Sequence, residues 1–457
     1  MTATLIAFAL LLALAFLRLP IAFAMGIIGF AGFVTLRGWG AAYSQLAQVS
    51  FVTGINYELS VLPLFILMGN FVTSARLSED LYRAANAFLG HRRGGLSMAT
   101  VVACGGFAAV CGSSMATAAT MAKVAMPSMR QYRYSDALAS GSIAAGGTLG
   151  ILIPPSVIMI IYGILTETEI GGLFLAGILP GMVGILFYIL AVQWVVRRNP
   201  AAGPPGARTP WPERWRAFGN VWGVVALFLL VIVGLYIGVF TPTEGAGIGA
   251  AGAFFFALAR RELTWKKLYE VLAESAITTA MLFMVLIGAT LFSDYINQTG
   301  FAESLVSFVK GLGVNKWGIL VAIIVIYIIL GCVLESLSMI LLTVPVFFPL
   351  VMSLGFDKDL GISPMLTKIW FGILIVVVVE ISLLTPPVGL NVFVLRAVLK
   401  DVATATIFRG VMPFFVMDLF RIAVLAGFPI ISWWLPSTAP AIKAFFKALG
   451  AWIGALF

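Results

Sequence analysis

The feature that most constrains this chain is the near-unbroken succession of long apolar runs. They fall near 3–17, 20–35, 50–75, 95–128, 135–165, 172–196, 218–238, 243–259, 268–296, 316–353, 364–397, 405–433 and 440–457. A membrane-spanning helix needs roughly 20 apolar residues, so the runs leave room for about a dozen membrane elements and for no sizeable water-soluble domain. Only 10% of the 457 residues are charged, against about 25% in a soluble domain. The expectation is an all-α polytopic membrane protein. Residues 1–17 lack a basic start and are followed at once by a second apolar run. They predict a transmembrane hairpin rather than a cleaved leader.

Net charge is +9, but the basic residues lie between the apolar runs, where they set topology rather than bind nucleic acid. The clearest polar interruption is RRNPAAGPPGARTPWPERWR, 197–216. Its proline, glycine and arginine content cannot span a bilayer, and its arginines place it in the cytoplasm. The expected organisation is therefore a first half at 1–196, a cytoplasmic linker at 197–217 and a second half at 218–457.

The halves echo one another. VCGSSMATAATMAKVAMPSM (110–129) corresponds to CVLESLSMILLTVPVFFPLVM (332–352), and LGILIPPSVIMIIYG (149–163) to ISLLTPPVGLNVFVLRA (381–397). PLFILMGNF… (63–90) is likewise echoed by MLFMVLIGAT… (281–313), and the Gly-x-x-Pro of Gly177 and Pro180 by that of Gly410 and Pro413. The first serine-rich segment, about 95–130, is flanked by Arg92 and Arg93 and by Arg130 and Arg133. Basic residues at both ends predict a hairpin that enters and leaves on the cytoplasmic side. The second segment, about 316–355, ends at LGFDKDLG, which predicts the opposite side. The pattern is that of two inverted repeats, each with a re-entrant hairpin and a broken helix.

Inside hydrocarbon, irregular backbone survives only where protein or an aqueous cavity satisfies it. Four places break that rule: the tips CGSSMAT (111–117) and LESLSM (334–339), and the pairs Pro154-Pro155 and Pro386-Pro387. Each proline pair removes amide donors and frees upstream carbonyls. With nearby hydroxyls these make a hard-cation site suited to sodium, and the half-helix N-termini favour an anion. Candidate sodium ligands are Ser113, Ser114 and the backbone around Gly147 in the first half. In the second they are Ser336, Ser338, Thr385, Gly389 and Asn391. Glu335, ionisable at the second tip, is a substrate-site candidate, with Ser114 and Ser156. Glu380 is structural or ion-linked, and the sequence does not choose between these. TPTEG (241–245) is a turn opening a helix.

Several activities lack their residues. No G-x-x-x-x-G-K-[ST] loop supports ATP hydrolysis, the cysteines have no metal-ligand spacing, and His91 is the single histidine. The chain is not expected to be an enzyme.

Across GGFAAVCGSSMATAATMAKVAMPSM, GTLGILIPPSVIMIIYGILTETEIGGLFLAGILPG, TPTEGAGIGA and LLTPPVGLNVFVL, the sequence resembles the large membrane subunit of TRAP (tripartite ATP-independent periplasmic) transporters, the DctM or M subunit. The resemblance covers essentially the whole chain. It implies a bacterial inner-membrane protein, an elevator mechanism and sodium-coupled uptake of a small organic acid. It also implies two partners: a small four-helix membrane subunit, here a separate chain, and a periplasmic substrate-binding protein. The family's ion sites map onto Ser113, Ser114, Ser336, Ser338 and Thr385, and its acidic tip residue onto Glu335. The competing expectation is a stand-alone sodium symporter for divalent anions or citrate with similar architecture.

Overall fold

A computed structural model describes residues 2–17, 19–311, 313–332 and 334–454. The last apolar run extends past them. Among the described residues the regular structure is helical throughout. The first half contains α1 (Thr2–Phe16), α2 (Ile21–Arg37), α3 (Trp39–Ile55), α4 (Val61–Ser74) and α5 (Leu77–Leu89). It continues with α6 (Gly95–Cys111), α7 (Ser114–Gln131), α8 (Asp136–Thr148), α9 (Val157–Thr166) and α10 (Ile170–Arg198). After α11 (Trp211–Gly219) come α12 (Trp222–Ile237), α13 (Pro242–Ala259), α14 (Trp265–Gln298) and α15 (Phe301–Gly311). The chain then forms α16 (Lys316–Gly331), α17 (Ser336–Ser353), α18 (Phe356–Leu360) and α19 (Pro364–Ser382). It closes with α20 (Leu390–Val398), α21 (Thr404–Gly427) and α22 (Ile430–Gly454).

Among the described residues six helices are long and apolar enough to cross a membrane, or seven when the bent pair α11–α12 counts as one. This is fewer than a dozen full spans, because several apolar runs fold into shorter pieces. α6 and α16 have 17 and 16 residues, and α9 and α20 only 10 and 9. At 1.5 Å per residue the last two are each about 15 Å long, half a bilayer core. α14, with 34 residues, is about 50 Å long by the same rise.

Local chemistry sets many of the helix starts. Thr241 and Glu244 form a reciprocal capping box at the start of α13, which fills two otherwise orphaned amides. Ser135, Thr264 and Ser363 cap α8, α14 and α19 through their hydroxyls.

Small residues then let helices approach closely, the usual basis of helix association where lipid competes for apolar contact. Gly26, Gly29 and Gly32 line the face of α2 that meets α14, where a Cβ on Gly29 would sit 2.6 Å from the Leu291 backbone. Gly141 of α8 and Gly410 of α21 cross backbone against backbone. The inner layer holds α6–α10, α17 and α19–α21, with α19 almost wholly buried. α2, α3 and α14 pack together on one flank, and α4, α12 and α13 on another.

The polar segment after α10 is not a loose connector. It forms a strap over the ends of the first hairpin. Gly203 and Ala202 accept the amides of Gly94 and Ser135 at 2.8 and 3.0 Å, and Gly206 donates to Gly90 at 2.8 Å. Arg214 is buried, donates to the Thr209 carbonyl and lies 4.8 Å over the Trp211 ring.

Candidate functional site

Each half contains the same succession: two antiparallel helices joined at a tip, then a helix interrupted by a proline pair. In the first half these are α6, α7, α8 and α9; in the second they are α16, α17, α19 and α20. The proline–proline bond is cis at both interruptions.

The first tip turns at Gly112, whose φ of +65° lies in the left-handed region. Ser113 follows as the cap of α7, its hydroxyl accepting the Ala116 amide and its carbonyl accepting the amide and hydroxyl of Thr117. This tip is seated on the first break. A Cβ on Gly112 would lie 2.8 Å from the Pro155 carbonyl oxygen, and one on Gly150 2.8 Å from that of Ser113. Gly147 meets Ala118 of α7 equally closely. Ser114 is buried at the start of α7. Thus Ser113, Ser114 and Gly147 are held in one locale.

Ser156 is fully buried. Its hydroxyl donates to the Ile151 carbonyl at 2.5 Å and accepts the Met159 amide. It closes the break and caps α9.

At the second tip Glu335 precedes α17 and accepts the Ser338 hydroxyl at 3.0 Å. Ser338 is buried, whereas Glu335 and Ser336 are half-buried. Gly331, just before the tip, packs directly on Ser382, at the end of α19. Thr385 turns its hydroxyl back to the Ile381 carbonyl at 2.8 Å, and Gly389 starts α20 with φ +58°.

The two halves interlock. α9 packs on α17 and α20 packs on α7 and α8, so each post-break half-helix rests on the hairpin of the other half. Asn391 makes this link specific. It is fully buried, and its amide nitrogen donates to the Ala144 carbonyl at 3.1 Å. Its Oδ1 has no partner. A buried carbonyl oxygen without a donor costs about 1–3 kcal/mol.

The breaks differ in access. Pro154, Pro155 and Ser156 are buried, whereas Pro386 and Pro387 are exposed. The second break opens on the surface and the first is sealed.

Matching the chain to known proteins decides the family. Residues 8–431 match the tripartite ATP-independent periplasmic transporter, DctM component. The chain belongs to that family. The C4-dicarboxylate TRAP transporter large permease protein DctM of Pseudomonas aeruginosa is 36% identical over 414 residues, 90% of this chain and 93% of the relative. The ectoine TRAP transporter large permease protein TeaC of Halomonas elongata is 32% identical, over 93% of this chain and 95% of its own length. In fold, this DctM-family chain is similar to the YdaH transporter of Alcanivorax borkumensis, with a TM-score of 0.58 and 16% identity over 93% of this chain and 97% of that one. It is a multi-pass membrane protein whose curated relatives are transporter permeases.

Sequence reasoning singled out Glu380 but not the cluster it belongs to in this DctM-family chain. Arg421 and Asp418 of α21, Glu380 of α19, Tyr188 of α10 and Thr148 of α8 form a buried polar chain. Arg421 is ion-paired to Glu380 and lies 3.0 Å from Asp418. Tyr188 donates to Asp418 at 2.8 Å and shares a 2.9 Å hydrogen bond with Thr148. The signal was present in the sequence: Asp418-x-x-Arg421 puts two opposite charges on one face of an apolar helix.

Proposed function

We propose that this chain is the membrane-embedded permease of a sodium-coupled uptake system in the bacterial inner membrane. Its substrate is a small organic acid handed over by a periplasmic binding protein, and a small four-helix membrane subunit completes the assembly. The observation that carries the reading is the interlocked pair of tips and breaks, with the partnerless Asn391 Oδ1 at its centre. Irregular backbone, short hydroxyl side chains and a free carbonyl oxygen suit a dehydrated monovalent cation. Glu335 and Ser114, at the starts of the two tip helices, are the proposed substrate contacts, and Ser156 keeps the first break in shape.

The relatives' names support the substrate class: a C4-dicarboxylate and ectoine are both small solutes bearing a carboxylate. The repeated element order and the opposite flanking charges support an inverted pair. In the mechanism we propose, the hairpins and broken helices move together against a scaffold that includes the α2–α3–α14 flank, as an elevator. The dense glycine-mediated packing inside that unit suits rigid-body motion.

The test is reconstitution in liposomes with the small subunit, the binding protein and an inward sodium gradient. Substrate should accumulate only with all three components and sodium. Ser114→Ala and Ser336→Ala should each raise the sodium concentration needed for half-maximal uptake. Accumulation by this chain alone, or sodium dependence unchanged in both variants, would overturn the proposal.

A further inference from the structure

We infer that Glu380 and Asp418 together hold one exchangeable proton, forming a proton-binding site separate from the tips. Two carboxylates face one guanidinium, and all three side chains are fully buried. Both carboxylates approach the same nitrogen, Arg421 Nη2, Glu380 through Oε2 and Asp418 through Oδ1 at 3.0 Å. With both ionised, one negative charge remains uncompensated, and an unpaired charge in a low-dielectric interior is strongly disfavoured. One proton taken from water onto a carboxylate oxygen brings the cluster to neutrality.

The free atoms show where it would go. Glu380 Oε1 is buried without a partner, and Asp418 Oδ1 lies off the line of a hydrogen bond to Nη2. Arg421 Nε and Nη1 are also unpartnered; they add donors, not a second positive charge. A metal ion would need several further oxygens. The Tyr188 hydroxyl is already engaged with Asp418 and Thr148, and Phe414 packs edge-on against its ring at 5.6 Å. Gly184 of α10 leaves the room the guanidinium occupies, where a Cβ would collide with Arg421 Nη1. A proton needs no added volume.

Among the described residues, the other titratable groups on the elements packed against α19 and α21 are engaged elsewhere or lie at the surface, except Tyr327 of α16, whose buried hydroxyl has no partner. Asp136 of α8 pairs with Arg130, Lys443 of α22 with Glu169, and Lys316 of α16 with Asp359 of α18. Tyr162 of α9 donates to the Lys368 carbonyl, and Lys368 to that of Thr166. Glu335 accepts from Ser338, Arg396 of α20 binds the Val402 carbonyl, and Tyr327 of α16 packs on Phe347 of α17. Arg198 at the end of α10 lies over Trp194, with Arg197 beside it, and Arg409, Asp357 and Lys358 sit at helix ends or in the α18 turn. Thr148 ends the helix before the first break, and Glu380 lies one turn before the second. The proton site therefore lies between α19 and α21 and is linked through Tyr188 to the end of α8.

Infrared spectroscopy of the full-length chain in lipid tests this directly, without transport. At neutral pH the wild type should show the carbonyl stretch of a protonated carboxylic acid, downshifted in heavy water. Glu380→Gln or Asp418→Asn should abolish the band while the helical amide band is kept. Glu380→Asp and Asp418→Glu should retain it at a shifted frequency, which covers the case in which the amide variants fail to fold. No acid band in the wild type at neutral pH, or a band unchanged in all four variants, would overturn the inference.

Discussion

The side-chain amide of Asn391, one residue into the second half-helix α20, donates to the carbonyl of Ala144, one turn before the end of α8. This hydrogen bond joins the two halves of the chain at their broken elements and leaves one oxygen free. Asn391→Ala removes the bond and the free oxygen together. It should lower sodium affinity in uptake assays by about tenfold, on the scale of ~1–2 kcal/mol for a buried polar contact. Asn391→Asp should retain part of that affinity, since the ligand oxygen survives.

Gly112→Ala is expected to damage the first tip. A left-handed residue with a Cβ costs roughly 1–2 kcal/mol, and here that Cβ meets the Pro155 carbonyl, which cannot yield as a side chain would. Uptake should be lost with the protein still inserted. Circular dichroism and a thermal melt in detergent separate displacement of the tip from global unfolding.

Removing one member of the buried ion cluster should destabilise more than removing all of it. Arg421→Met leaves two carboxylates without their cation, at a cost of about 3–5 kcal/mol. Arg421→Met combined with Glu380→Met and Asp418→Asn should recover most of that loss. Unfolding of the wild type and the two variants in the same detergent gives the comparison, and equal stability of the single and triple variants would contradict the assignment.

The two breaks should differ in chemical access. In a variant lacking Cys104, Cys111 and Cys332, a cysteine at Val388 should react with a membrane-impermeant maleimide added from the correct side. One at Ser156 should stay protected. A change in that ratio on adding sodium would report movement between conformations.

At the surface, the hydrogen bond from Arg130 holds the Asp401 carboxyl below its usual range. A depressed carboxyl adds stability above its ordinary pKa of about 3.9 and loses it as pH falls through the lowered value. The contact between the end of α7 and the loop after α20 should therefore persist through neutral pH and loosen only in acid. Because Asp401 is exposed, the effect should be small and screened by salt. A melting series in acid, with Asp401→Asn as the control, should show the acid-sensitive component vanish in the variant.

Much of this was legible because the signals are local. Proline pairs interrupt helices whatever surrounds them. Gly112 and Ser113 announce a turn and a cap within three residues, and TPTEG spelled out the capping box that Thr241 and Glu244 form. What was not legible depends on partners far away in the chain. Glu380 was visibly anomalous, but its neighbours Arg421 and Tyr188 arrive from other helices. The crossing of α9 onto α17 and of α20 onto α7 is likewise set by packing rather than by any local pattern. The strap after α10 was read from composition as a divider. Its backbone bonds to Gly90, Gly94 and Ser135 leave no trace in composition.

That strap has a mechanical corollary. It is stitched to the first hairpin, and α11 continues from it onto α5 through Trp215 and Phe218 against Phe88. Slack between this assembly and α12 is confined to Asn220 and Val221, where the axis bends by 48°. Two residues stretch to at most about 7 Å. On the elevator reading proposed above, any longer stroke of the hairpin past α12 would have to unwind a turn of helix or carry α12 along, so the leash length would cap that stroke.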